Sequence, residues 1–109
     1  KVPSGTELLF ISGQLGIMPD GSTPDTIEGQ ADQVFSNIVS ILKSQSLTVV
    51  NIVKLTTFIV AGQDGLAVRK ARLKYLGAHR PASTAVYVSQ LVDPAWFVEV
   101  EVVVSSNTD

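Results

Sequence analysis

Cysteine is absent from this 109-residue chain. That excludes disulfides, Cys-ligated zinc and thiol catalysis together. Positive charge is scarce: eight Lys and Arg stand against ten acidic residues, for a net charge of −2. Non-specific nucleic-acid binding needs clustered cations. The nearest cluster is Arg69, Lys70, Arg72 and Lys74, which reads as the solvated face of one helix. Histidine occurs once, at His79, beside an expected helix stop where a surface or capping role suits it. No His and carboxylate ligands converge in the spacing a metal site needs. There is no phosphate-binding Gly loop and no Ser-His-Asp set. Nothing in the sequence calls for a cofactor. No apolar run approaches the roughly 18 residues of a membrane span, and no signal-peptide pattern is visible. The lack of Cys fits a reducing compartment, so a cytoplasmic location is expected.

What is present is apolar: 45% of residues are hydrophobic and 17% charged. Leu8-Leu9-Phe10-Ile11-Ser12 is a short apolar run ending at Gly13, and reads as a strand. Pro19-Asp20-Gly21-Ser22 has turn chemistry. Ile27, Ala31, Val34, Ile38, Ile41 and Leu42 recur at helical spacing and make one apolar stripe. Asp25 with Glu28 resembles a capping box at its start. Gln30, Gln33, Asn37 and Ser40 fall off the stripe. Residues 52–60 are rich in Val, Ile, Thr and Phe and read as a strand. A second helix is expected over residues 66–76, with Val68, Ala71 and Tyr75 on one side and Gly77 as its stop.

Two further strands are expected at residues 83–91 and 96–104, joined through Asp93-Pro94. Strand alternation puts Val98, Val100, Val102 and Val104 on one face, and Phe97, Glu99, Glu101 and Val103 on the other. The order β–α–β–α–β–β predicts an α+β domain of two layers, a mixed sheet with both helices on one face. The opposite face keeps apolar side chains such as Phe97 and Val103, and a single copy has nothing left to cover them. That is a mark of association.

Arg80-Pro81-Ala82-Ser83-Thr84, an apolar strand, and then Val98-Glu99-Val100-Glu101-Val102 resemble the active-site signature of the Rid family (RidA/YjgF, endoribonuclease L-PSP). Leu9-Phe10-Ile11-Ser12-Gly13-Gln14 resembles the family's strand ending in Ser-Gly-Gln, and Ile52-Val53-Lys54-Leu55-Thr56 its Val-Lys-x-Thr stretch. The resemblance implies one domain over residues 1–109, with the family's N-terminal segment mostly absent. It also implies the chorismate-mutase-like fold of the trimeric type: a homotrimer whose sheets surround a central barrel and whose small-metabolite clefts lie between subunits. Best-known members hydrolyse reactive enamines and imines.

The resemblance carries site residues with it. Family members read Pro-Ala-Arg-Ser where this chain reads Pro81-Ala82-Ser83-Thr84, and their Arg grips the substrate carboxylate. Ser83 stands in its place and brings no charge. The resemblance implies that Glu99 positions water, that Ser12 and Gly13 form the cleft floor, and that the Ala85 N–H meets the carboxylate. Thr84 adds a second hydroxyl for a small polar ligand. Arg80 is a candidate substitute for the missing charge, although an odd separation from Ser83 sets it on the other face of a regular strand; Arg69 or Arg72 of a neighbouring subunit is a lesser candidate. Glu101 is expected to pair with Lys54 or another base at the interface. Two function classes follow: an enamine or imine deaminase with altered substrate or lost activity, and a non-enzymatic metabolite-binding trimer acting as regulator or scavenger. The endoribonuclease label is a third reading, against which the acidic balance argues.

Overall fold

The valine alternation of the last strand organises the molecule. In the computed structural model, which describes residues 1–106, Val98, Val100, Val102 and Val104 are all buried. They lie in the sheet's central region under two helices. Burying one such side chain contributes about 1.5–3 kcal/mol as an upper estimate. The elements run β1 (Leu8–Leu15), α1 (Ile27–Ser44), a 3-10 turn (Val49–Asn51), β2 (Ile52–Val60), α2 (Gly65–Leu76), β3 (Ala82–Val88) and β4 (Val98–Ser105). The sheet order is β1-β4-β2-β3. β4 runs antiparallel to both β1 and β2, and β2 runs parallel to β3 through the α2 crossover. The result is the expected two-layer α+β architecture.

α1 buries the expected stripe except Ile41, which is half-buried, and also Phe35, whose ring stacks on Tyr75 of α2 at 6.2 Å between centroids. Asp32 and Lys74 bridge the two helices at 2.7 Å, and the Lys74 hydrogen bond holds the Asp32 carboxyl below its ordinary value. Gly77 ends α2 with φ of 58°, a left-handed conformation that a side chain disfavours.

Several expectations need correction. Thr26, not Asp25, caps α1: its hydroxyl accepts from Gly29 N–H at 3.0 Å. A Thr hydroxyl here fits the cap geometry, since Thr26 is extended and one residue before the first turn. β1 does not stop at Gly13 but continues to Leu15 through an irregularity, described below. β3 ends at Val88, ahead of a turn around Asp93 that β4 leaves at Val98. The 3-10 turn before β2 was not anticipated; Thr48 and Asn51 close it with a reciprocal capping box.

Gln30 is the largest surprise in the core. It lies off the apolar stripe, yet it is 1% exposed. Its amide nitrogen donates to Pro24 O (2.9 Å) and Ala95 O (2.8 Å), and its oxygen accepts from Phe97 N–H (2.8 Å). One side chain thus fastens the loop before α1 and the loop before β4 to the helix. A buried polar group is tolerated when its bonding capacity is met. Replacing Gln30 with Ala strands those three backbone groups. We expect a loss of about 2–4 kcal/mol from the unmade bonds, read as a lower urea midpoint with an unchanged slope.

Candidate functional site

β-strand alternation sorts the candidate residues onto two faces before any chemistry is considered. Ser83, Ala85 and Tyr87 of β3 lie opposite Leu55, Thr57 and Ile59 of β2. Those β2 residues are buried under the helices, so the first three share the helix side. Thr84 and Val86 lie opposite Thr56 and Phe58 on the uncovered side, which also carries Glu99, Glu101 and Val103 of β4. Ser83 and Thr84, grouped by sequence as two hydroxyls for one ligand, therefore point to opposite faces.

On the uncovered face the sequence brings one cluster together. Ile11 pairs with Val102 and Gln14 with Val100, so Ser12 and Gly13 both oppose Glu101. This is a β-bulge, with two residues against one. The bulge puts Gly13 directly beneath the Glu99 side chain: a Cβ built on Gly13 overlaps the Glu99 carboxylate. Glycine is needed here for close approach, because any side chain would evict the acid. Ser12, Lys54, Thr56 and Glu101 line an adjoining groove of about 490 Å³, walled by Phe10 and Val103.

Within one chain Lys54 does not pair with Glu101. Its ammonium donates to Thr84 Oγ1 at 2.7 Å. In the β2 register Lys54 lies beside Val103 on one neighbour and Ala82 on the other, which leaves Glu101 and Thr84 each two residues along on the same face. Arg80 is also otherwise engaged. Its guanidinium donates to the carbonyls of Gly77 and His79 at the C-terminal end of α2, where a cation meets the helix's negative end. His79 Nε2 lies 2.8 Å from Ile52 O, which ties that corner to the start of β2.

The helix side holds two residues that the sequence offered only as contributions from a neighbouring subunit. Arg69 and Arg72, read as part of a solvated face, line a cavity of about 310 Å³ with Thr57, Ala85 and Tyr87. Arg72 Nη1 is 3.4 Å from Ser83 Oγ. The signal was the three-residue spacing, which puts both arginines on one side of α2 and separates them from Lys70 and Lys74. Within one chain, Ser83 and Glu99 stay apart. They occupy opposite faces, on strands separated by β2.

The family model for endoribonuclease L-PSP matches residues 3–106. The chain belongs to that family, the Rid family. Protein HMF1 of Saccharomyces cerevisiae is 29% identical over 85 residues, covering 77% of this chain and 66% of the relative. The 2-iminobutanoate/2-iminopropanoate deaminase of Capra hircus is 33% identical over 85 residues, covering 76% of this chain and 62% of the relative. The chain thus spans somewhat under two thirds of the length of these relatives. Among solved structures, Escherichia coli TdcF with bound serine superposes with a TM-score of 0.85 at 25% identity, covering 97% of this chain and 85% of that one. The fold is the chorismate-mutase-like α+β fold shared by Rid proteins. No helix among the described residues is long and apolar enough to cross a membrane.

The bulge makes one firm expectation. Gly13→Ala keeps the fold, because the strand continues on both sides of it, but swings the Glu99 carboxylate off the bulge. A crystal structure of the variant with Glu99 unmoved would contradict this account.

Proposed function

We propose that the protein hydrolyses a reactive enamine or imine of a small amino-acid-derived substrate, in clefts between the subunits of a homotrimer. The observation that carries this reading is the Glu99 carboxylate seated on the Ser12–Gly13 bulge, in a chain whose relatives include a 2-iminobutanoate/2-iminopropanoate deaminase. In such a reaction water adds to the imine carbon. Glu99 accepts a proton from that water and gives it to the nitrogen, then carries the proton of the new hydroxyl to the amine, so that ammonia leaves as the carbonyl forms. The carboxylate of the substrate meets the Ala85 N–H, with Ser12 and Gly13 beneath the reacting carbon. Ser83 in place of the family's Arg changes which substrates bind.

The uncovered sheet face supports the assembly. Phe10 is 71% exposed there, with Leu8 and Val86 also exposed. Apolar area of this kind favours association. Ser83 and Glu99 lie on opposite faces of one sheet, so a cleft that uses both is completed by a second copy. Metabolite binding without turnover, by a regulator or scavenger, is the second reading. The loss of the family Arg favours it.

Light scattering at micromolar concentration is expected to give the mass of three chains; a stable monomer would contradict the assembly. Glu99→Gln keeps shape and hydrogen bonding but removes the base. It is expected to leave the trimer intact and lower turnover of oxidase-generated imines by about 10²–10⁴-fold, the scale of a positioned acid or base. Unchanged turnover in that variant rules out the role given to Glu99. No wild-type turnover on any such imine leaves the binding protein as the better reading.

A further inference from the structure

A guanidinium stands beside the very position where Rid proteins carry their carboxylate-gripping Arg. It comes from a different element. Arg72 lies on α2, half-buried, and its Nη1 approaches Ser83 Oγ at 3.4 Å. The β2–α2–β3 crossover makes this contact natural: α2 is the segment that returns the chain to β3, and Ser83 and Ala85 face its side of the sheet. Arg72 also walls the cavity of about 310 Å³ that Ala85 and Tyr87 share. That is room for a small organic anion.

The backbone adds a second donor. Val88 O accepts from Ala61 N–H on the β2 side. Backbone groups alternate in direction along a strand, so residues 87, 85 and 83 turn theirs away from β2. β3 is the last strand in the sheet. The Ala85 N–H therefore emerges at the free edge, beside the cavity that Arg72 lines.

Arg69 lines the same cavity as Arg72, and the remaining cations near this corner are committed elsewhere. Arg80 donates to the carbonyls ending α2, Lys74 pairs with Asp32, and Lys54 holds Thr84 on the opposite face. Asp64, the acid lining the cavity, caps α2 through Leu66 N–H. Among the described residues Arg72 has no carboxylate partner. An Arg at position 83 would crowd a second guanidinium against it. A small neutral residue there and a cation on α2 thus belong together as one arrangement.

We infer that Arg72, with Ser83 Oγ and the Ala85 N–H, forms a carboxylate-binding corner in which the positive charge is delivered from α2 instead of β3. The ligand it takes is a small 2-imino or 2-oxo carboxylate. Arg remains charged at any physiological pH, and its fork suits a carboxylate. This assignment rests on the cleft described under the proposed function, but it concerns binding and not turnover.

The test measures binding of 2-oxobutanoate, and of its neutral amide, to the full chain by calorimetry. Arg72→Gln is expected to weaken the anion about 10–100-fold, the range for a hydrogen bond to a charged group, and to leave the amide unchanged. Adding Ser83→Arg to that variant is expected to recover at least about tenfold of the lost anion affinity, by restoring a guanidinium from β3. Wild-type protein that does not bind the anion, or Arg72→Gln that binds it normally, overturns the assignment. So does equal loss of both probes, which marks a structural role. Wild-type binding that depends on Arg72, without imine hydrolysis, instead sinks the hydrolase reading and leaves this one standing.

Discussion

Everything in this molecule depends on the two-residue period of β4. Four valines on one side weld the sheet to α1 and α2, while the intervening residues, Glu99 and Glu101, must then face the other way. The strand cannot bury its apolar half without presenting its carboxylates on the uncovered half. Core formation and placement of the candidate acid are thus one event. A register slip of a single residue would bury two charges and expose four valines.

That constraint also accounts for what the sequence disclosed and what it hid. Strands and helices were legible because period and punctuation agree: β2 and the valine face of β4 came out as read, and Gly77 stops α2 as its position suggests. The family motif placed the same elements and gave the fold by resemblance. Gln30 was hidden because its partners are backbone groups 6 to 67 residues away, and no local pattern announces them. The bulge was only half legible, because Ser12-Gly13 reads from sequence as a strand end or as a bulge. Only pairing with β4 distinguishes an ending from an inserted residue.

The basic cluster on α2 shows the same limit in another form. Its four cations look alike in sequence, and charge pattern assigns them all to solvent. The crossover geometry divides them. Lys74 is drawn to Asp32 across the helix pair, whereas Arg69 and Arg72 lean over the edge strand. A helix face is defined by what stands next to it, and the neighbour here is a strand that follows later in the chain.

Contact between Gly13 and Glu99 also bears on the routes by which this sequence can diverge. Any side chain at position 13 collides with the acid, so substitutions at the two positions are coupled and their effects do not add. A lineage that abandons the carboxylate can later fill the glycine at little cost. The reverse order passes through an intermediate in which acid and side chain compete for one space. The bulge therefore acts as a ratchet: losing Glu99 opens position 13 to drift, and once position 13 is filled, a returning acid must take another rotamer, off its seat on the bulge.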